Sequence, residues 1–376
     1  MLGFAQFVLW AIVLAALLSF IGWLAAQYFH VERCPDEVHF ARTADGWRIA
    51  LSRYLPRQPL GAEPVILCHG IGANRRNLDL TEELSLAGYL ADHGYDVWLI
   101  ELRGRGLSTR PRLFSPYRYD WCFDEYVEQD IPAALALVRR VTAADAVHWV
   151  GFSMGGMAMY PILADPRFAP LVRSAVALAA PASFKRQRRY LLGRLIRNAR
   201  WLRHAFLLRV VAPLAGYWHP APIHIIHNPE NLDGRVLRQA MVNVVTNFSR
   251  NEMLQFSDWI VNDAFRSIDR RRDYRAEMRR IVAPLLFLAG PRDLLAPPDM
   301  VKDAFDAVGS SDKKLVICSR ARGFQVNYGH VDLVLGRTAP VEIYPLVRDW
   351  LDAHAQHAIV RPTEQEETKE GAGLQA

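Results

Sequence analysis

The chain has 376 residues, 51% hydrophobic and 22% charged, with 23 Gly and 22 Pro. These proportions lie near globular averages and exclude a mainly disordered or low-complexity protein. The formal net charge of +6 is unevenly spread, because 11 Lys and Arg and no acidic residue fall between Asp165 and Glu230, so the rest of the chain is net acidic.

From Leu2 to Phe29 there is no Asp, Glu, Lys or Arg, and as helix those 28 residues would extend about 42 Å. A bilayer's hydrocarbon core is about 30 Å thick, so the segment is long enough to cross it with tilt. Trp10, Trp23 and Tyr28 suit interfacial anchors. A cleaved signal peptide is the competing reading; the missing basic n-region and the length of the apolar run favour an uncleaved single-pass membrane helix over residues 1–30. No Lys or Arg precedes the segment, whereas Arg33, Arg42, Arg48 and Arg53 follow it, which predicts a cytoplasmic body. Cys34, Cys68, Cys122 and Cys318 stand far apart without a C-x-x-C pair and read as reduced, buried thiols.

The body alternates in period. His39–Tyr54 reads as two strands around Asp45-Gly46, and Pro64–Cys68 as a short buried strand. Helix is predicted over Glu82–His93, strand over Asp96–Glu101, helix over Val127–Arg140, strand over Val147–Val150, helix over Met154–Leu163 and strand over Ser174–Leu178. The alternation lapses, then resumes with strand Leu285–Ala289, helix Asp299–Val308, strand Lys314–Cys318 and helix Val341–His354. Such a chain predicts an α/β fold, a mostly parallel sheet with helices on both faces, over 31–181 and 281–358. Residues 182–280 are expected to be a helical lid or cap inserted over the ligand edge of the sheet, and 359–376 a disordered polar tail.

Gly151-Phe152-Ser153-Met154-Gly155 leaves a strand and opens a helix, the context of a nucleophile elbow. There the serine sits on strained backbone, and Gly151 and Gly155 avoid clashes with adjacent chain. A serine hydroxyl needs a base, and the base an orienting carboxylate, in the chain order Ser, acid, His. Asp293 follows strand Leu285–Ala289, and His330 follows the last strand beside Gly329, which makes Ser153, Asp293 and His330 the expected triad. Asp299, at an expected helix cap, and Asp332, two residues from the histidine, are rival acids; His69 is on the wrong strand for the base. The turn His69-Gly70-Ile71-Gly72 supplies an oxyanion loop, with the N–H groups of Ile71 and Met154 as donors and Gly70 and Gly72 allowing close approach.

Together with Leu67-Cys68-His69-Gly70 and Glu101-Leu102-Arg103-Gly104-Arg105-Gly106-Leu107-Ser108, these elements resemble the α/β-hydrolase superfamily over about residues 37–355. Trp121–Tyr126 with Asp130-Ile131-Pro132-Ala133, and Gly329–Asp332 with Gly336 and Ala339-Pro340, are similar to segments of the acid lipases. The resemblance implies hydrolysis of a carboxylic ester with a hydrophobic acyl part. The chain departs from the G-H-S-x-G of acid lipases by placing Phe152 before Ser153. Polyhydroxyalkanoate synthases share parts of the layout with a cysteine nucleophile, and Ser153 argues against polymerisation. Acyl transfer, thioester or peptide cleavage by the same triad, and a non-catalytic membrane scaffold, are the alternatives.

Within the basic stretch, Leu191, Leu195, Ala199, Leu202 and Phe206 share one side of a helix, with Arg186, Arg189, Arg194, Arg197 and Arg200 broadly opposite. That pattern suits either a helix on anionic membrane lipid or a solvated lid helix. No nucleic-acid-binding module accompanies the charge, so no nucleic-acid partner is expected. His224 and His227 lack a third ligand, and no Walker loop or dinucleotide fingerprint is present, so neither a metal nor a cofactor is expected. The sequence carries no signal of oligomeric state.

Overall fold

A computed structural model describes residues 2–57, 63–112, 114–185, 204–217 and 227–356. Its centre is an eight-stranded sheet of β1 (Glu37–Arg42), β2 (Arg48–Tyr54), β3 (Pro64–Cys68), β4 (Asp96–Glu101), β5 (Val147–Phe152), β6 (Val172–Leu178), β7 (Leu285–Ala289) and β8 (Lys313–Ile317). The strand order is β1-β2-β4-β3-β5-β6-β7-β8. β1 and β2 form an antiparallel hairpin, β2 runs antiparallel to β4, and all later pairings are parallel.

Burial follows from sequence. β3, β4, β5 and β7 are buried along their whole length, as strands covered on both faces must be, whereas the edge strand β1 alternates between exposed and half-buried over most of its length. Helices Leu86–Asp92, Ile131–Thr142, Met154–Ala164, Pro298–Ala307 and Tyr344–Ala353 supply the cover.

Several expected helix limits move for local reasons. The helix expected over Glu82–His93 starts at Leu86, because Ser85 caps it by accepting a hydrogen bond from Gly88 N at 2.8 Å. Val127 lies in a π turn, Tyr126–Asp130, and the α-helix starts at Ile131 with Pro132 in its first turn. The last helix is split into Ala339–Glu342 and Tyr344–Ala353, the second with Pro345 at its start, where the missing N–H is harmless. Asp299 lies inside the first turn of its helix, whose cap position is Pro297. Cys34 is exposed, in contrast to the other three thiols, which are buried.

Between β6 and β7 the described chain contains helices His204–Val211, Gly234–Asn243, Arg250–Asn262 and Tyr274–Glu277. Most of the expected amphipathic helix, Leu191, Leu195, Ala199, Leu202 and their facing arginines, lies outside the described residues, as do His224 and the tail. Leu2–Tyr28 is one continuous helix, long and apolar enough to cross a bilayer, and its surface from Gln6 on is largely exposed. From Gln6 on, Gly22 and Ala25 are its buried positions, and a Cβ added at Gly22 would stand 3.3 Å from Val210 and 3.5 Å from Phe206.

Candidate active site

Ser153 stands at the end of β5 with φ +52° and ψ −119°, a conformation an L-residue rarely adopts. The turn is tied down on all sides. Ser153 N donates to Leu178 O at the end of β6 at 2.7 Å, and Trp149 Nε1 donates to Gly155 O at 3.1 Å. A Cβ at Gly151 would lie 2.3 Å from Gly155 O, and one at Gly155 would lie 2.3 Å from Cys68 O. Only hydrogen fits at either position.

His330 lies on the loop beyond β8, and Asp293 on the loop beyond β7. These loops are pressed together: Arg292 N donates to Tyr328 O at 2.9 Å, and a Cβ at Gly290 would lie 2.2 Å from that same carbonyl. His330 Nδ1 is 2.7 Å from Asp293 Oδ2, and His330 Nε2 is 3.0 Å from Ser153 Oγ. The remaining carboxylate oxygen, Asp293 Oδ1, accepts from Leu295 N and Ala296 N, each at 2.8 Å. An acceptor-only carboxylate at Nδ1 fixes the proton there, which leaves Nε2 as the acceptor for the serine hydroxyl.

Asp332 does not contact the imidazole. Its carboxylate accepts from Gly329 N at 2.8 Å and from Asn228 N at 3.0 Å, so it ties the histidine loop to the segment that precedes helix Gly234–Asn243. Burial pushes its pKa up to about 6, although both N–H donors pull the other way. His69 is buried, with Nδ1 2.8 Å from Gly70 O and Nε2 accepting from Leu102 N, and burial pulls it down to about 3, so it is neutral. Its work is to join the loops after β3 and β4.

The turn Gly70–Gly72 faces Ser153 across a shared cavity. Gly70 N donates to Asn77 Oδ1 at 3.0 Å, and Gly72 O accepts from Thr246 N at 2.7 Å. Gly72 has φ +62°, and a Cβ there would fall 2.3 Å from the Phe248 ring. Met154 opens its helix, so its N–H has no partner within that helix. Asn77 and Phe248 are contributions the sequence did not signal, because their partners are fixed only by the folded loop. Phe152, which replaces the histidine of the acid-lipase pattern, packs its ring 4.9 Å from that of His330.

The cavity above Ser153 has a volume of about 330 Å³. Its walls come from the Gly70–Ala73 turn, from Leu208 of helix His204–Val211, from Leu237, Ala240 and Met241 of helix Gly234–Asn243, and from Val244, Val245 and Phe248 beyond it. No Asp, Glu, Lys or Arg is among the described lining residues. Such a space accepts apolar chains and offers no counter-charge to an ionic group.

Comparison with known proteins agrees with this layout. A family model described as "Serine aminopeptidase, S33" matches residues 62–322. A "Probable lipase" of Schizosaccharomyces pombe is 24% identical over 355 residues, which cover 85% of this chain and 77% of that one. Another "Probable lipase" of the same yeast is 32% identical over 155 residues, 38% of this chain. The match spans only about a third of that relative's length, 34%. An esterase from Exiguobacterium antarcticum superimposes with a TM-score of 0.57 at 16% identity, covering 84% of this chain and 99% of its own.

Proposed function

Because the chain belongs to the serine aminopeptidase S33 family of α/β-hydrolases, we propose that it is a membrane-anchored serine esterase acting on lipid-like carboxylic esters. Ser153 Oγ attacks the ester carbonyl as His330 Nε2 takes its proton; Asp293 holds the imidazole and stabilises the imidazolium. The N–H groups of Ile71 and Met154 receive the charge that develops on the carbonyl oxygen. The tetrahedral adduct collapses as His330 returns the proton to the departing alcohol, leaving an acyl group on Ser153. Water, activated by the same imidazole, then releases the acid.

The observation that carries this reading is the hydrogen-bonded run Asp293–His330–Ser153 opening into an uncharged, apolar cavity. Cleavage at a free amino terminus would call for a carboxylate to pair with the substrate's ammonium, and the described lining contains none, which favours esters over peptides. Helices His204–Val211 and Gly234–Asn243 act as a lid whose inner faces hold the acyl chain. Leu2–Tyr28 anchors the protein, with the catalytic body on the cytoplasmic side, where Arg33, Arg42 and Arg48 follow the span.

A fluorophosphonate probe applied to the full chain tests the nucleophile: labelling is expected, with Ser153→Ala abolishing it. Turnover of p-nitrophenyl esters, acyl-CoAs and aminoacyl amides then ranks the substrates, with esters expected first. Folded protein that the probe leaves unlabelled would refute the enzymatic reading.

A further inference from the structure

A second cavity, of about 260 Å³, adjoins the catalytic one across Val245, which lines both. Helix His204–Val211 divides its residues between them: His204 and Leu208 face the catalytic cavity, Ala205, Phe206 and Arg209 the second. The second cavity also receives Arg110, Tyr119 and Asn247, and no carboxylate is among its described lining residues.

Its charge is only partly offset. Arg209 is partly buried, and among the described residues its Nε has no hydrogen-bond partner and its side chain forms no ion pair. Burial, first, and the like charge of Arg110, second, both act against its protonated form. Glu101 is near enough to Arg110 to offset part of its charge, while its oxygens accept from Leu107 N at 2.7 Å and Arg75 N at 3.4 Å; it forms no ion pair with Arg209 among the described residues. The amino-acid sequence supplies no acid anywhere from Pro166 to Pro229 to relieve the pair. A guanidinium held in this way is stabilised by an anion brought from outside, and a phosphate matches its forked donors. Asn247 Oδ1 accepts from Ala205 N, leaving its NH2 group as a further donor.

Position identifies the anion's source. Phe206 and Val210 of the same helix close on Gly22, six residues before the end of the N-terminal helix, or about 9 Å along it. Leu207, Val211 and Leu214 are exposed beside them. With Leu2–Tyr28 across a bilayer, this helix lies at the level of the lipid headgroups.

We propose that Arg209 and Arg110 form a phosphate site that takes the headgroup of an anionic phospholipid from the bilayer. The site rests on the membrane placement of the N-terminal helix proposed above and is independent of the triad.

The test uses the full chain in a non-ionic detergent, titrated calorimetrically with dioctanoyl phosphatidylglycerol, dioctanoyl phosphatidylcholine or inorganic phosphate. Saturable, salt-sensitive binding of phosphatidylglycerol is expected, weakened about tenfold or more by Arg209→Gln or Arg110→Gln and by less in Arg209→Lys, which keeps the charge but loses the fork. Unchanged hydrolysis of a soluble p-nitrophenyl ester shows that the variants are folded. Should Arg209→Gln fail to fold, Arg110→Gln, at an exposed position, carries the test alone. Equal binding of the two lipids, or phosphatidylglycerol binding untouched in both Gln variants, overturns the site. Inorganic phosphate that binds as tightly as the anionic lipid and displaces it overturns the lipid assignment. Carbonate extraction of the full chain reads the anchor separately, so lipid binding that fails while the helix stays integral counts against the arginine site alone.

Discussion

Asp293 and Asp332 are both buried beside the loop that carries His330, and their partners give them different work. Asp293 touches the imidazole, whereas Asp332 binds only main-chain N–H groups. Asp293→Asn is expected to lower kcat by about 10,000-fold, because an amide at Nδ1 no longer enforces the tautomer that leaves Nε2 free to accept. Asp332→Asn keeps one acceptor oxygen for the loop and should cost no more than about 100-fold, the penalty of a small misplacement. Reversal of that order, measured on a soluble ester, would exchange the two roles. Asp332 also leaves a mark on stability. Its folded pKa, about 6, exceeds the ordinary carboxyl value, so the native state holds the proton more tightly than the unfolded chain. The stability it contributes is present below about pH 4 and lost as pH rises through about 6, to the extent of roughly 3 kcal/mol. Between pH 4 and pH 7 the urea stability of Asp332→Asn should gain on that of the parent by that order. Chain order and a strand-end loop made Asp293 legible in the sequence; the role of Asp332 was not, since its partner Asn228 is 104 residues away.

At the scale of elements, the β-strands were legible because buried parallel strands are continuous apolar runs, and the elbow because a G-x-S-x-G string sits between a strand and a helix, although the backbone that excludes a side chain at Gly155 belongs to Cys68 and His69, far away in the chain. The segment between β6 and β7 carries no comparable period, and what fastens it is invisible before folding. One of its fastenings is a buried ion pair. Arg105, in the loop after β4, makes a two-pronged bond to Glu252 at 2.9 and 2.7 Å, and both side chains are fully buried. Tyr126 and Ser249 also engage that carboxylate, which caps helix Arg250–Asn262 from within. The Glu101–Ser108 run thus holds the segment between β6 and β7 through its arginine. Removing one partner strands the other charge without water, so Arg105→Ala is expected to cost about 3–5 kcal/mol in chemical unfolding. A loss below about 1 kcal/mol would mean that the pair is solvated and that packing and the remaining hydrogen bonds, such as Phe123 N to Gln255 Oε1, hold the helix.

At the scale of the whole molecule, the N-terminal helix is fastened to the catalytic body by more than its connecting residues. Asn243, at the end of helix Gly234–Asn243, donates to Phe29 O at 2.8 Å and accepts from Val31 N at 3.2 Å, and Arg33 pairs with Asp79 at 3.0 Å. The same helix lends Leu237, Ala240 and Met241 to the catalytic cavity. One face of the N-terminal helix therefore rests on elements that also line the cavity above Ser153. A chain beginning at Cys34 loses the span, the Asn243 contacts and the Arg33 pair together. Such a chain is expected to leave the carbonate-resistant membrane fraction while retaining fluorophosphonate labelling, since every residue of the proposed triad and oxyanion loop lies beyond the cut. Its turnover of a soluble short-chain ester should stay within about tenfold of the parent, and its turnover of vesicle-borne ester should fall much further. Carbonate-resistant association that survives the cut would show that the body inserts without the helix and would remove the anchor from the mechanism.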